Sequence, residues 1–217
     1  MIDFKLVRAP TGGLWRVVNR RYQPFDFPPG REPVAWTEPA FARIRGGRWD
    51  SSDGSFRTLY CSSTLSGAYG EALRRLAPGP LSEAVLTQRH VGVAACQADA
   101  RFIDMADPQT HNAIPAEMRL LLSAVIDEGI DRSTMLSSDR RVTRSLASAL
   151  YEICGRPGLT HVAGLRYESR ISPAIECFVV WDADAIDADS INTFSVELAH
   201  PSLREALAIL GINLTRP

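Results

Sequence analysis

Apolar residues at Leu65, Ala68, Tyr69, Ala72, Leu73 and Leu76 recur at steps of three and four, which predicts an amphipathic helix with one continuous apolar face. Ser63 or Thr64 stands where an N-cap belongs, and Pro78-Gly79-Pro80 ends the pattern. Asp139 to Ile153 predicts a longer helix, with Val142, Leu146, Ala149, Leu150 and Ile153 on one face. Two more helices are predicted, over Ala116 to Asp127 behind Pro115 and over Ser202 to Leu210. Short apolar runs predict strands over Leu14 to Val18, Thr58 to Ser62, Val91 to Ala98, Arg101 to Ile103, Thr160 to Leu165 and Cys177 to Trp181. Gly46-Gly47 predicts a turn or bulge into a short strand through Trp49, and Ser51 to Ser55 a turn-rich loop. The strands and helices are mixed without a regular βαβ rhythm, so the expected class is α+β. Residues 23–39 carry Pro24, Pro28, Pro29, Pro33 and Pro39 among aromatics, which predicts an irregular loop or flap. With no internal repeat and no compositional break, one domain over residues 1–217 is expected.

Composition narrows the function classes. A net charge of −1 gives no general electrostatic case for direct nucleic-acid or anionic-membrane binding. Lys5 is the only lysine, so anion binding falls to arginine or to backbone N–H groups. No apolar run approaches the roughly 18 residues of a membrane span, and the opening Met-Ile-Asp-Phe-Lys lacks a secretory pattern. A cytoplasmic location is the expectation. Cys61, Cys96, Cys154 and Cys177 are widely spaced with no CxxC, which reads as buried free thiols rather than a zinc site. His90, His111, His161 and His200 lack metal-ligand spacing, and no metal is expected. Phosphate-loop, dinucleotide-fingerprint, HExxH and GxSxG patterns are absent, and nothing marks the nucleophile of a Ser-His-Asp triad.

A few polar residues stand out against this background. Glu71 lies off the apolar stripe of its predicted helix, beside Thr64 and Gly67 on the preceding turns. A mid-helix glycine costs about 1 kcal/mol against alanine, and here it leaves room for a ligand near a carboxylate. An i,i+4 ion pair of Glu71 with Arg75 on a solvated face is the structural alternative. Arg48 follows two glycines, where backbone can approach a phosphate closely. A surface arginine on a hairpin turn is the other reading, and Arg45 is a rival phosphate ligand. Arg16 interrupts the apolar run Trp15-Arg16-Val17-Val18, either for pairing and function or as the outward residue of an edge strand. Tyr60 offers a ring to stack on a base and a hydroxyl to order a ribose, or is ordinary core packing. Ser169 follows a predicted strand, a common place for a site loop.

These residues sit in Gly46-Gly47-Arg48-Trp49-Asp50, Leu59-Tyr60-Cys61-Ser62, Gly67-Ala68-Tyr69-Gly70-Glu71 and Gly164-Leu165-Arg166-Tyr167-Glu168-Ser169-Arg170. The order resembles the RES-domain family, named for its Arg, Glu and Ser, over about Leu14 to Asp182. The resemblance implies a fold similar to ADP-ribosyltransferase toxins, with a split, mostly antiparallel β-core and helices around a cleft that holds NAD+. It implies that Glu71, Arg48, Tyr60 and Ser169 are catalytic, and that Arg16, Arg48, Tyr60 and Ser169 bind NAD+. NAD+ is then a substrate, cleaved between nicotinamide and ribose by hydrolysis or phosphorolysis, and no cofactor is needed. Transfer of ADP-ribose to a protein is the close alternative, and a non-catalytic NAD-binding or protein-interaction module is the alternative of another class. The resemblance also implies a toxin held in check by an antitoxin, often of Xre type. Self-association into a homodimer through Leu203 to Leu210 is a further expectation. The Pro-rich segment 23–39 and the stretch from Asp104 to Ser138 are long for a minimal member of the family.

Overall fold

A computed structural model of the chain describes residues 3–27, 47–51, 54–115, 130–136, 140–155 and 162–215. Among them are ten strands: β1 (Leu6–Arg8), β2 (Leu14–Asn19), β3 (Leu59–Ser62), β4 (Gly79–Ser82), β5 (Arg89–Ala94), β6 (Arg101–Asp104), β7 (Val162–Glu168), β8 (Glu176–Val180), β9 (Asn192–Ser195) and β10 (Ile212–Thr215). Eight of them form one sheet in the order β1-β6-β7-β8-β3-β2-β5-β9, and β10 pairs with β4 apart from it. Within the large sheet β6 and β7 run parallel and the other neighbours antiparallel. The helices are α1 (Leu65–Leu73), α2 (Glu83–Thr87), α3 (Pro108–Ala113), α4 (Arg132–Leu136), α5 (Arg140–Leu150) and α6 (Pro201–Leu210). The class is α+β, as the irregular mixture of patterns requires. No described helix is long and apolar enough to cross a membrane.

Side chains of β8 alternate between two cores, as a two-residue period dictates. Cys177 and Val179 join Trp49, Ile103, Leu146 and Leu165, under α5. Phe178 and Val180 join Leu14, Leu59 and Phe102. A third cluster is built where α1 meets α6, from Leu65, Tyr69, Leu73, Leu203 and Leu207. The apolar face of α6 expected to serve a homodimer is therefore buried within the chain: Leu203, Ala206 and Leu207 are covered, and Ile209 is left exposed.

Several elements depart from the sequence pattern. Helix α1 is capped by Thr64, whose hydroxyl accepts the Gly67 N–H at 3.1 Å, but it ends at Leu73 and tightens into a 3₁₀ turn, Arg74–Leu76. Helix α5 passes into a π-helical turn, Tyr151–Gly155. The expected short strand through Trp49 is a turn instead, because the Asp50 carboxylate accepts the Gly47 N–H at 2.8 Å and closes the backbone on itself. Strand β7 continues past Leu165 to Glu168, paired with β8 throughout. Its charged positions hid it: Arg166 is neutralised by Asp104 at 2.9 Å and Glu176 at 2.6 Å. The predicted helix over Ala116 to Asp127, Arg45 and most of the Pro-rich segment lie outside the described residues.

Candidate active site

A cavity of about 650 Å³ opens beside β2, β3 and α1, and Arg16, Arg48, Tyr60 and Glu71 all line it. Four of the five residues singled out in the sequence thus share one space. The fifth, Ser169, reaches it through Glu71.

Glu71 and Ser169 meet although 98 positions separate them. Helix α1 carries Glu71, half-buried and off its apolar stripe. The turn after β7 carries Ser169, whose N–H donates to the Ile175 carbonyl at 2.9 Å and whose Oγ accepts the Ile171 N–H at 3.0 Å. That oxygen can then donate its own proton in one direction, to Glu71 Oε1 at 2.6 Å. Glu71 Oε2 lies 3.3 Å from Arg74 Nε. The carboxylate is therefore held at both oxygens, by a neutral donor and by a cation, and is aimed before any ligand arrives. The alternative i,i+4 pairing with Arg75 is not the one formed: Glu71 pairs with Arg74, at the start of the 3₁₀ turn. Gly67 has a different role from the one its position suggests. It is buried, and a Cβ there would collide with Ser62 Oγ, so it lets α1 approach β3 rather than leaving ligand room.

The turn Gly47–Asp50 forms another part of the wall. Asp50 accepts from Gly47 N–H and, at 2.6 Å, from the Thr58 hydroxyl. Arg144 of α5 lies beneath, 2 % exposed, donating from Nε to the Gly47 carbonyl at 3.2 Å and facing Asp50 at 3.7 Å. The Tyr60 hydroxyl accepts the Trp49 N–H at 2.8 Å, and Gly47 is glycine because a Cβ would collide with the Tyr60 ring. Burial, and then the neighbouring Asp50 carboxylate, push the Tyr60 phenol well above its usual range, so it stays neutral. Arg48 turns away from solvent, donating to the carbonyls of Met135 at 2.6 Å and Glu168 at 3.4 Å, with its guanidinium 5.2 Å from the Tyr167 ring centroid. Burial lowers its pKa from the ordinary arginine value, opposed by Tyr167 and Glu71. Asp50 and Arg144 were missed in the sequence. The Gly-to-Asp spacing of a closed turn was the available signal for Asp50, whereas Arg144 gave none.

Arg16 is not the outward residue of an edge strand, since β2 lies between β3 and β5. It donates from Nη1 to the carbonyls of Pro24 at 2.5 Å and Asp26 at 3.5 Å, and so fastens the start of the Pro-rich segment over the sheet. Burial lowers its pKa, opposed by Cys61 and Asp26. Gly92, its partner across β5, is overlain by Pro24, which a Cβ would strike. Cys61 also faces the cavity, but burial pushes its thiol up to about 12, which removes its nucleophilic form at neutral pH. All four cysteines are free, and no group of metal-binding side chains occurs among the described residues.

The wall is strongly cationic for a chain of net charge −1. Arg16, Arg48, Arg57, Arg74, Arg75 and Arg89 line it, against the carboxylates of Asp50 and Glu71. Such a surface focuses an anion, and its volume lies within the roughly 300–1,000 Å³ range of small-molecule sites.

A family model described as RES domain matches residues 13–199. No curated protein matches the chain. Among solved structures, the crystal structure of the M. tuberculosis MbcT–MbcA toxin–antitoxin complex contains a similar fold, with a TM-score of 0.53 at 14 % identity, over 93 % of this chain and 91 % of that one.

Proposed function

The chain belongs to the RES-domain family, and we propose that it cleaves the bond between nicotinamide and ribose of NAD+. The observation that carries this reading is a carboxylate, Glu71, held by Ser169 at 2.6 Å on the wall of a cavity otherwise rich in arginine. Breaking that bond builds positive charge on the ribose, as in an oxocarbenium ion. A fixed carboxylate stabilises the charge as it forms and can accept a ribose hydroxyl. The surrounding guanidiniums suit the pyrophosphate, which is the anionic part of the same molecule. Tyr60, neutral and anchored at its hydroxyl, offers an apolar ring to the leaving base. Arg48 acts by holding the end of β7, and with it Ser169, through the Glu168 carbonyl. On this reading the cleft is the equivalent of that in ADP-ribosyltransferase toxins, NAD+ is consumed as a substrate, and the chain works as a single domain in the cytoplasm.

The structural neighbour is a toxin–antitoxin complex, which supports a second element of the proposal: an antitoxin, built on an Xre-type domain, restrains this chain. The test of the reaction is to incubate purified protein with NAD+, with and without phosphate, and identify the products by mass spectrometry. Free ADP-ribose marks hydrolysis, a phosphorylated ADP-ribose marks phosphorolysis, and a mass increment on a protein marks transfer. Intact NAD+ after prolonged incubation with folded protein would reject all three and leave a non-catalytic module.

A further inference from the structure

The six arginines of the cavity wall are not equivalent. Arg16 and Arg48 already hold main-chain carbonyls, and Arg74 is paired with Glu71. Glu71 is taken by Arg74 rather than by Arg75, and Arg89 Nε has no hydrogen-bond partner. Arg89 is the more telling of the two. It stands at the start of β5, half-buried, with its Nε shielded from solvent and unbonded. A desolvated donor without an acceptor costs stability unless something else supplies the acceptor. Burial correspondingly lowers its pKa. Arg75 lies in the 3₁₀ turn Arg74–Leu76, four positions past Glu71, and lines the same cavity. Arg75 also lies near other guanidiniums: Arg75 and Arg74 both depress the pKa of Arg140, after burial itself. A like-charged group of this kind is relieved by an anion.

We infer that Arg75, from the helix side, and Arg89, from the sheet side, are the residues that grip the pyrophosphate of the dinucleotide, and that Arg16 and Arg48 organise the wall instead. This rests on the NAD+ reading above. Arginine from two separate elements fixes both phosphoryl groups in a planar, bidentate manner that one lysine could not reproduce. Arg89 opens strand β5 and Arg75 lies in the 3₁₀ turn continuous with α1, whereas Arg57 sits in the loop before β3; Arg75, like Arg57, is exposed and free to meet a ligand.

The test uses ADP-ribose, which retains the pyrophosphate but has no nicotinamide bond to break. Calorimetry on the full chain compares wild type with Arg75→Gln, Arg89→Gln, their combination, and Arg204→Gln on the exposed face of α6 as a charge control. Arg89→Lys serves as a second variant that keeps the charge and loses the fork. Each Gln variant is expected to weaken binding roughly tenfold, and the pair more than either alone, because a charge-assisted hydrogen bond is worth that much or more. Arg204→Gln should change nothing, and Arg89→Lys should fall between. With NAD+, the Gln variants should raise KM while kcat stays within a few-fold. Unchanged affinity in both Gln variants, an equal loss in Arg204→Gln, or no ADP-ribose binding by wild type would overturn the assignment. The two proposals fail separately. A wild type that consumes NAD+ while both variants bind ADP-ribose normally keeps the reaction and loses these ligands. A wild type that binds ADP-ribose through Arg75 and Arg89 yet leaves NAD+ intact keeps the ligands and loses the reaction.

Discussion

Two parts of one cavity wall are built on opposite principles. The turn Gly47–Asp50 is largely buried and its backbone and carboxylate are tied down: Thr58, Tyr60, Arg144 and backbone N–H groups all converge on it. The corner where Glu71 meets Ser169 depends on one short side-chain hydrogen bond and one ion pair, and Glu71 stays half-buried and accessible. The first part stores its polar groups in a network that a ligand would have to break. The second keeps a charged group aimed at open space. Burial within a hydrogen-bond network suits a scaffold, and on the proposed reading partial exposure with a fixed orientation suits chemistry, even when both occur among the residues of one motif.

The contrast is broken most easily at Arg144. Its removal leaves Asp50 buried opposite an empty position, so Arg144→Ala is expected to lower stability by about 3–5 kcal/mol, measured by urea unfolding. A loss under about 1 kcal/mol would mean that the turn is not held by this pair. Tyr60→Phe removes the acceptor of the Trp49 N–H, and a loss of about 1–3 kcal/mol follows from one unsatisfied buried donor. If instead the variant is as stable as wild type but loses turnover, the hydroxyl belongs with the chemistry. Ser169→Ala should sharpen the other side: turnover falls roughly tenfold as Glu71 loses its orientation, while stability changes by about 1 kcal/mol or less. The smallest effect concerns Cys61. Its thiol is raised to about 12, so it remains protonated at pH 8 and gains reactivity only as pH climbs toward that value. Iodoacetamide at pH 8 should leave Cys61 of the folded protein unmodified by mass spectrometry, and label it after denaturation.

How much of this was legible in the sequence depends on where each group finds its partner. Strands β2, β3, β6 and β8, and helices α1, α5 and α6, declare themselves through local apolar periodicity. Strands β1, β4, β9 and β10 do not, since they are short and are strands because of what pairs with them. All of β9 is exposed, and it is held by its ladder to β5, by the Trp15–Phe194 ring contact and by the Arg20 hydrogen bond to Ser195. The site residues could be picked out by their flanks, but their roles could not. Arg48 reads as a phosphate ligand beside two glycines, yet its acceptors lie 87 and 120 positions away, at Met135 and Glu168. Arg144 and the Gly47 carbonyl are 97 apart. The availability of Arg75 was concealed locally instead: α1 gives way to a 3₁₀ turn, invisible in the pattern, where Glu71 pairs with Arg74.

Glu71 carries the central claim, and one paired measurement addresses it: nicotinamide release from NAD+ by wild type and Glu71→Gln, alongside the thermal unfolding midpoint of each. The account predicts that Glu71→Gln retains a cooperative transition within a few degrees of wild type, as expected for a change of about 1 kcal/mol, and releases nicotinamide at least ~1,000-fold more slowly, the loss expected when charge stabilisation of a few kcal/mol is removed. A folded Glu71→Gln protein that releases nicotinamide at the wild-type rate would contradict it.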